Sequence, residues 1–485
     1  MKHTEEWMLD KQSSTPLYQQ IYNYIKNKII YGEWTVGFKL PAQRKLAAMF
    51  QVNRSTIVSA LDELTADGFL QSKVGRGTIV LNNSWSLLSA EQPPDWKTYV
   101  QSGIHQPNLP TIQEINRDEF IPNIIRLGTG ELASELLPSK MVQTTFQQQT
   151  EARLSLSYPE PKGDLRLRKV LCHYLEKKGI RVSPSSILVV SGGIQALQLI
   201  SIGLLPTGST VLHDTASYLH SIQVFQSAGI NLLDIPMDKD GMLIDSITRL
   251  KRLHQTDLLY TNPTFQNPTG SILPLERRHE LLAIAAKEGI PIIEDDVYGD
   301  LWFDAPPPPT LKELDKCGTV LYIGSMSKVL GPGLRIGFIT GPESVIERLA
   351  DIKMQTDYGS STLSQFIVAE WLSNGFYEKY TENLRRELKR RRDITLDLLE
   401  KHFKEKAIWT IPKGGFYIWL SILPTISMSA LFEVARQEGI LLNPGHMYNR
   451  NSKQHLRISY SYATEKQLEI GLVKLAELIE RLKHT

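Results

Sequence analysis

At 485 residues the chain exceeds what one hydrophobic core ordinarily serves, so two or three domains are expected. Hydrophobic residues make up 41% and charged residues 22%, a balance that excludes both a disordered chain and a membrane-embedded one. The formal net charge is only +2, so affinity for nucleic acid has to come from a local patch and not from bulk charge.

The opening stretch MKHTEEWMLDKQSS carries acidic residues and no apolar segment, which does not read as a signal peptide. After Pro16, LYQQIYNYIKNKII sets Leu17, Ile21, Tyr24, Ile25, Lys28 and Ile29 at helical spacing and predicts a first helix with one inward face. PAQRKLAAMF starts a second helix at Pro41, with Leu46, Ala47 and Phe50 inward. The tripeptide QVN reads as a turn. A third helix follows, with Asn53 as its expected cap and Ile57, Ala60, Leu61 and Leu64 buried. LQSKVGRGTIVL then alternates around Gly75, Arg76 and Gly77, the pattern of a hairpin with a basic tip.

Helix, turn, helix and hairpin in that order describe a winged helix-turn-helix, in which the start of the second helix of the pair enters the major groove. Arg54, Ser55 and Thr56 occupy that start, while Arg44, Lys45, Lys73 and Arg76 fall at a helix start or in the wing. Between Pro16 and Val80 there are eight Lys or Arg against four Asp or Glu, a local excess suited to phosphates. The run LPAQRKLAAMFQVNRSTIVSALDELTADGFLQSKVGRGTIV resembles the winged helix-turn-helix of the GntR family of bacterial transcription regulators. Two positions depart from the family pattern, Ala42 and Asn53 standing where serine is usual.

Residues 82–116, rich in Ser, Pro, Gln and Asn, read as a connector between a DNA-binding domain at 14–81 and a second domain at 117–485. PDWKTYV is a candidate short helix within it. Seven apolar runs follow: ILVVSGG, STVLHD, NLLDIPM, DLLYTNP, PIIEDDVY, VLYIGSMS and IGFITG. Most are separated by helix-length segments, which predicts a largely parallel sheet with helices on both faces. Such sheets bind ligands at the carboxyl ends of their strands.

Ser191, Gly192 and Gly193 form a glycine turn opening a helix, suited to a phosphate and equally to a plain tight turn. Asn267 sits in the proline-stiffened TFQNPTG. Asp295 and Asp296 end an apolar strand, as an acid site or as a helix cap, with Tyr298 just beyond. Ser325, Ser327 and Lys328 end another strand, with Gly331, Gly333 and Arg335 following. A lysine here is either a solvated surface group or an amine that forms imines.

The order of phosphate turn, asparagine, aspartate, then lysine with arginine matches the groups that hold pyridoxal 5'-phosphate. Residues from about 120 to 480 resemble the class I aminotransferases of fold type I, through SYPEPKGDLRLRKVL, SGGIQAL, NPTFQNPTG, EDDVYGDLWF, SMSKVLGPGLRIG, GGFYIWL and HLRISYSYA. The resemblance implies an α/β pyridoxal-phosphate-dependent transferase fold with large and small subdomains. It implies Lys328 as the Schiff-base lysine, Asp295 against the ring nitrogen, Asn267 and Tyr298 on the ring oxygen, and Tyr218 against the ring face. Gly193, Ile194, Ser325 and Arg335 would hold the phosphate, Ile194 through its backbone amide alone. Tyr158 would reach the phosphate of a partner subunit in a homodimer, and Arg457 would pair with the carboxylate of an effector or substrate.

A GntR-type winged helix joined to an aminotransferase-like domain is similar to the MocR subfamily of regulators. That resemblance implies a dimeric, promoter-binding protein that senses pyridoxal phosphate, or an amine or amino acid condensing with it. The alternative is a true class I aminotransferase with a DNA-binding appendage. Cys172 and Cys317 lie outside any metal or redox spacing, so neither a metal site nor a disulfide framework is expected, and a reducing cytoplasm fits. The basic run RRELKRRRD, Arg385 to Asp393, reads as a solvated helix face.

Overall fold

A computed structural model describes residues 9–73, 77–82, 96–105, 107–148 and 157–483. The chain divides into two units, 1–104 and 105–485.

In the first unit, α1 (Leu17–Ile30), α2 (Gln43–Phe50) and α3 (Arg54–Ala66) pack around one core. Ile21, Ile25 and Ile29 of α1 meet Leu46 and Phe50 of α2 and Ile57, Ala60, Leu61 and Leu64 of α3, the inward faces expected from periodicity. Gln51, with φ 52°, adopts the left-handed conformation that closes α2 and aims the chain into α3. Asn53 stands at the cap position of α3, yet its side chain accepts no capping hydrogen bond. Strands β1 (Leu70–Lys73) and β2 (Gly77–Val80) pair antiparallel, Leu70 opposite Val80 and Lys73 opposite Gly77. Arg76, expected from sequence at the hairpin tip, lies outside the described residues.

The division between the units falls earlier than the expected boundary at 116/117. Pro110–Asp118 is a helix whose Ile112 and Ile115 are buried in the core of the second unit. Arg436 also donates to Asp118 Oδ2 at 2.9 Å. Apolar spacing inside a polar stretch is what draws this segment into the second unit. Trp96–Ser102, which begins in PDWKTYV and runs two residues past it, is a short helix.

All seven apolar runs become strands of one sheet: β3 (Ile187–Val190), β4 (Thr210–Asp214), β5 (Asn231–Ile235), β6 (Leu258–Thr261), β7 (Ile292–Asp295), β8 (Val320–Ser325) and β9 (Gly337–Thr340). Their order is β3-β9-β8-β7-β6-β4-β5, parallel except for β9, which runs antiparallel to β8 and β3. Separate apolar clusters cover the two faces, which is why β3 and β7 are buried at every position. A smaller antiparallel sheet is built from Ala407–Trp409, Tyr417–Ile422, His455–Ser459 and Asn443–Pro444.

The basic run forms a solvated face only in part: Arg386 and Arg390 are exposed, but Arg391 and Arg392 are not. It lies in the 28-residue helix Phe376–Phe403, where Arg391 and Arg392 are buried. Arg391 donates to the carbonyl of Ala463 at 3.0 Å and to Glu135 at 2.8 Å, and Arg392 to the carbonyl of Pro412 at 2.8 Å. Arg385 lies 4.0 Å over the Trp302 ring. Among the described residues, no helix is long and apolar enough to cross a membrane.

The two units have separate cores, so a cavity in one should not destabilise the other. Leu64→Ala, at a fully buried position of α3, is expected to cost about 2–5 kcal/mol. In urea unfolding of the full chain, the transition of the first unit should shift by that amount while that of the second stays in place.

Candidate cofactor site and DNA-facing helix

The carboxyl ends of β6, β7 and β8 open into a cavity of about 490 Å³. Its walls include Gly193, Ile194, Tyr218, Asn267, Asp295, Tyr298, Ser325, Lys328, Arg335 and Arg457, all singled out from sequence. They come from the large and the smaller sheet of the second unit and from the segments between them, and the ends of β6, β7 and β8 converge because those strands are parallel neighbours.

The centre of the site is a buried acid without a cation. Asp295 ends β7; its Oδ2 accepts from the Tyr260 hydroxyl at 2.7 Å, and its Oδ1 is buried with no hydrogen-bond partner. Burial pushes the Asp295 carboxyl up to about 6, with the neighbouring Asp296 adding to the rise, while the Tyr260 hydrogen bond, the charge of Lys328 and the nearby Val297 amide oppose it. The two adjacent acids have different surroundings. Glu294 accepts from the backbone amides of Leu311 and Lys312, and Asp296 accepts from Lys178 at 3.0 Å and Tyr322 at 2.7 Å. Strand alternation separates Glu294 from Asp295, and of Asp295 and Asp296 only Asp295 is in the cavity wall.

Lys328 Nζ donates to the carbonyl of Gly130 at 2.8 Å and stands 6.0 Å from the centre of the Tyr298 ring. A Cβ on Gly130 would meet the Tyr417 hydroxyl at 2.1 Å, so only glycine allows that carbonyl to sit there. The Tyr298 hydroxyl lies 3.0 Å from that of Tyr417. The Arg457 guanidinium is buried. It donates to Asn267 Oδ1 at 2.9 Å and to the Gly128 carbonyl at 2.7 Å, and lies 4.1 Å over the Tyr417 ring and 4.8 Å over that of Tyr448.

At the other end of the cavity, Gly193 and Ile194 begin the helix Gly193–Gly203, whose first amides are free of intrahelical partners. Gly192 has φ +95°, and a Cβ on it would stand 2.7 Å from Arg335 Nη2, so glycine here satisfies both backbone and neighbour. Arg335 itself has φ 53° and donates to the carbonyl of Ser191. The Ser325 hydroxyl accepts from the Ser327 amide at 3.2 Å, and the buried Ser327 hydroxyl has no partner.

Tyr158 is not brought into the cavity of its own chain; it is exposed, with its ring 4.8 Å from that of Tyr358. Tyr260, Asn262, Tyr417, Asn443 and Tyr448 line the cavity without having been singled out from sequence. For Tyr260 and Asn262 a signal existed, since both end the apolar run DLLYTNP. The other three come from the smaller sheet and its edges, far along the chain; Tyr417 lay inside the quoted motif GGFYIWL without being picked out, and Asn443 and Tyr448 carry no local mark.

In the first unit, Arg54 and Ser55 are exposed at the start of α3 and Arg44 and Lys45 at the start of α2, with Thr56 partly covered. Arg54 Nε and Nη2 both donate to Gln43 Oε1, at 3.1 and 2.9 Å, which ties the guanidinium across the two helix starts.

Comparison with known proteins gives matches to both units. The model of bacterial regulatory proteins of the gntR family matches residues 17–80, and that of aminotransferase class I and II matches residues 122–475. The HTH-type transcriptional regulator YisV of Bacillus subtilis, named as uncharacterized, is 50% identical over 98% of this chain and 99% of its own. NorG, an HTH-type transcriptional regulator of Staphylococcus aureus, is 35% identical over 92% of this chain and 100% of its own. Among solved structures, a kynurenine aminotransferase of Pyrococcus horikoshii is 30% identical with a TM-score of 0.75, covering 80% of this chain and 98% of that one. A multiple substrate aminotransferase of Thermococcus profundus is 28% identical with a TM-score of 0.74, covering 80% and 99%.

A pH dependence follows from the buried acid. With its folded pKa raised from an ordinary 3.8 to about 6, Asp295 holds its proton more tightly folded than unfolded. Its protonated form therefore favours folding below the ordinary value, and that advantage is lost as pH rises through about 6. Urea midpoints of ligand-free protein should show wild type losing stability relative to Asp295→Asn across this window. A constant difference between the two would contradict the assignment.

Proposed function

The chain belongs to the regulators that join a GntR-type helix-turn-helix to a class I and II aminotransferase domain, as in the MocR subfamily, and from that premise we propose the following function. The protein is a cytoplasmic transcription regulator that binds double-stranded promoter DNA as a homodimer. Its second unit takes pyridoxal phosphate and senses the cofactor, or an amine or amino acid that condenses with it.

One observation carries the reading: the buried, partnerless Asp295 Oδ1 lies in the wall of the cavity that Lys328 also lines. A protonated ring nitrogen would satisfy that oxygen, and the charge it brings would offset the burial that raises the carboxyl. The phosphate would take the amides of Gly193 and Ile194, the Arg335 guanidinium and the Ser325 and Ser327 hydroxyls, a donor set with two hydroxyls and one fixed cation. When bound, the cofactor supplies an aldehyde that an amine can capture and a ring that withdraws electrons from that amine's carbon.

The chain's own residues supply the rest. Lys328 provides the amine and can exchange its place for that of an incoming effector. Asn267 and Tyr298 would bond the ring oxygen, and Tyr218 would cover the ring face. Arg457, held flat between Tyr417 and Tyr448, would orient an effector carboxylate. Tyr158, exposed on its own chain, would be completed as a phosphate ligand only in a dimer.

On the DNA side, Arg54, Ser55 and Thr56 would read base edges, and Arg44, Lys45 and Arg76 would bind phosphates. An effector shifts the DNA-binding equilibrium only so far as it binds the two states unequally.

The test is a titration of purified protein on DNA from upstream of its own gene, with and without pyridoxal phosphate and added amines. Arg54→Ala should lose about tenfold or more in affinity. Lys328→Ala should keep the fold and basal DNA binding while losing the visible absorbance of bound cofactor and the response to amines. Multiple-turnover transamination at ordinary enzyme rates would instead favour an aminotransferase with a DNA-binding appendage.

A further inference from the structure

Three metal-ligating side chains meet at the edge of the large sheet, outside the cavity. His213 lies on β4 directly opposite Asp234 on β5, so strand register puts both on one face. His220 comes from the short turn Tyr218–Ser221 that follows β4. His220 Nε2 lies 3.1 Å and His213 Nε2 3.4 Å from the same carboxylate oxygen, Asp234 Oδ1, and the three atoms are within 4.8 Å of one another. Zinc about 2.0–2.1 Å from each of its N and O ligands in a tetrahedron separates those ligands by about 3.3–3.4 Å. The 3.4 Å edge from His213 matches that spacing, and the 3.1 Å edge from His220 is slightly shorter.

A second observation selects a ligand over a plain hydrogen-bonded cluster. His213 is completely buried, and its Nε2 has no hydrogen-bond partner. Its other ring nitrogen, Nδ1, lies 2.7 Å from the carbonyl oxygen of Asp214 and must donate to it. That fixes the tautomer with the Nε2 lone pair bare and aimed into the cluster, the arrangement in which a histidine ligand is oriented by a carbonyl behind it. Side-chain exposure rises from 0% at His213 through 18% at His220 to 42% at Asp234, so the cluster is closed at its base and open to water on one side. Three protein ligands with an open fourth position is a familiar zinc arrangement.

We infer that His213, His220 and Asp234 form a site for a divalent transition metal, zinc foremost, which ties the Tyr218–Ser221 turn to the sheet. That turn carries Tyr218 and Ser221 into the cavity wall, so an ion here would stiffen one wall of the neighbouring site. The inference does not depend on the proposed regulatory function, because its readout involves neither DNA nor pyridoxal phosphate.

The test uses full-length protein stripped with a chelator and titrated with ZnCl₂ against a competing chromophoric chelator, then with CoCl₂ by visible absorption. One zinc per chain is expected, with the intense visible bands of tetrahedral cobalt, and no comparable uptake of Mg²⁺, which favours oxygen ligands. His220→Ala should weaken zinc by more than the roughly 10–100-fold typical of losing an outer-shell partner. Asp234→Asn keeps a hydrogen-bond acceptor for His220 and so preserves a structural role, yet should also lose affinity. Failure of wild type to bind one equivalent, or wild-type affinity in either variant, would overturn the site.

Discussion

The second unit is organised around an acid that its own protein leaves half satisfied. Asp295 is buried, receives one hydrogen bond from Tyr260, and has a second oxygen with none. A buried carboxylate oxygen without a partner costs free energy, and such cost is retained where something outside the chain completes it. Glu294 is satisfied at both oxygens by backbone amides, while Asp296, held by Lys178 and Tyr322 through Oδ2, also keeps a buried Oδ1 without a partner; what sets Asp295 apart is that it alone of the three lines the cavity. The parallel sheet places that oxygen in one cavity with Lys328 and Arg335 at the ends of neighbouring segments.

The surroundings of Asp295 are held by constraints that single substitutions would break. Gly192 and Gly130 are where they are because a Cβ would strike Arg335 or Tyr417. Arg457 is pinned between two aromatic rings and bonded on both terminal nitrogens, so its charge is kept in a fixed plane. Preorganisation of this kind suits a ligand whose parts must be held in register. It serves a sensor and a catalyst equally, and the winged helix is what weighs the reading toward sensing.

Much of this was legible in the sequence because it rests on short-range patterns. Seven apolar runs named seven strands of one sheet, and strand ends named Asp295, Lys328 and Arg335 as residues of one cavity. The inward faces of α1, α2 and α3 followed from helical spacing. What escaped depends on contacts between distant segments. Tyr417, Asn443 and Tyr448 reach the cavity from the smaller sheet, and Arg391 and Arg392 look solvated until carbonyls from residues 463 and 412 are seen to receive them. The meeting of His213 with Asp234 needs the register of two strands, which cysteine and histidine spacing along the chain does not reveal. The polar connector hid a helix because Ile112 and Ile115 are too few to show a period by themselves.

The central claim is that Lys328 and the unsatisfied Asp295 make one receptor for an aldehyde cofactor. The most direct measurement is to incubate the full chain with pyridoxal phosphate, reduce with borohydride, and map the modified peptide by mass spectrometry. The account predicts one adduct per chain, on Lys328, and none in Lys328→Ala. An adduct spread over surface lysines, or persisting at the same level in that variant, would contradict it.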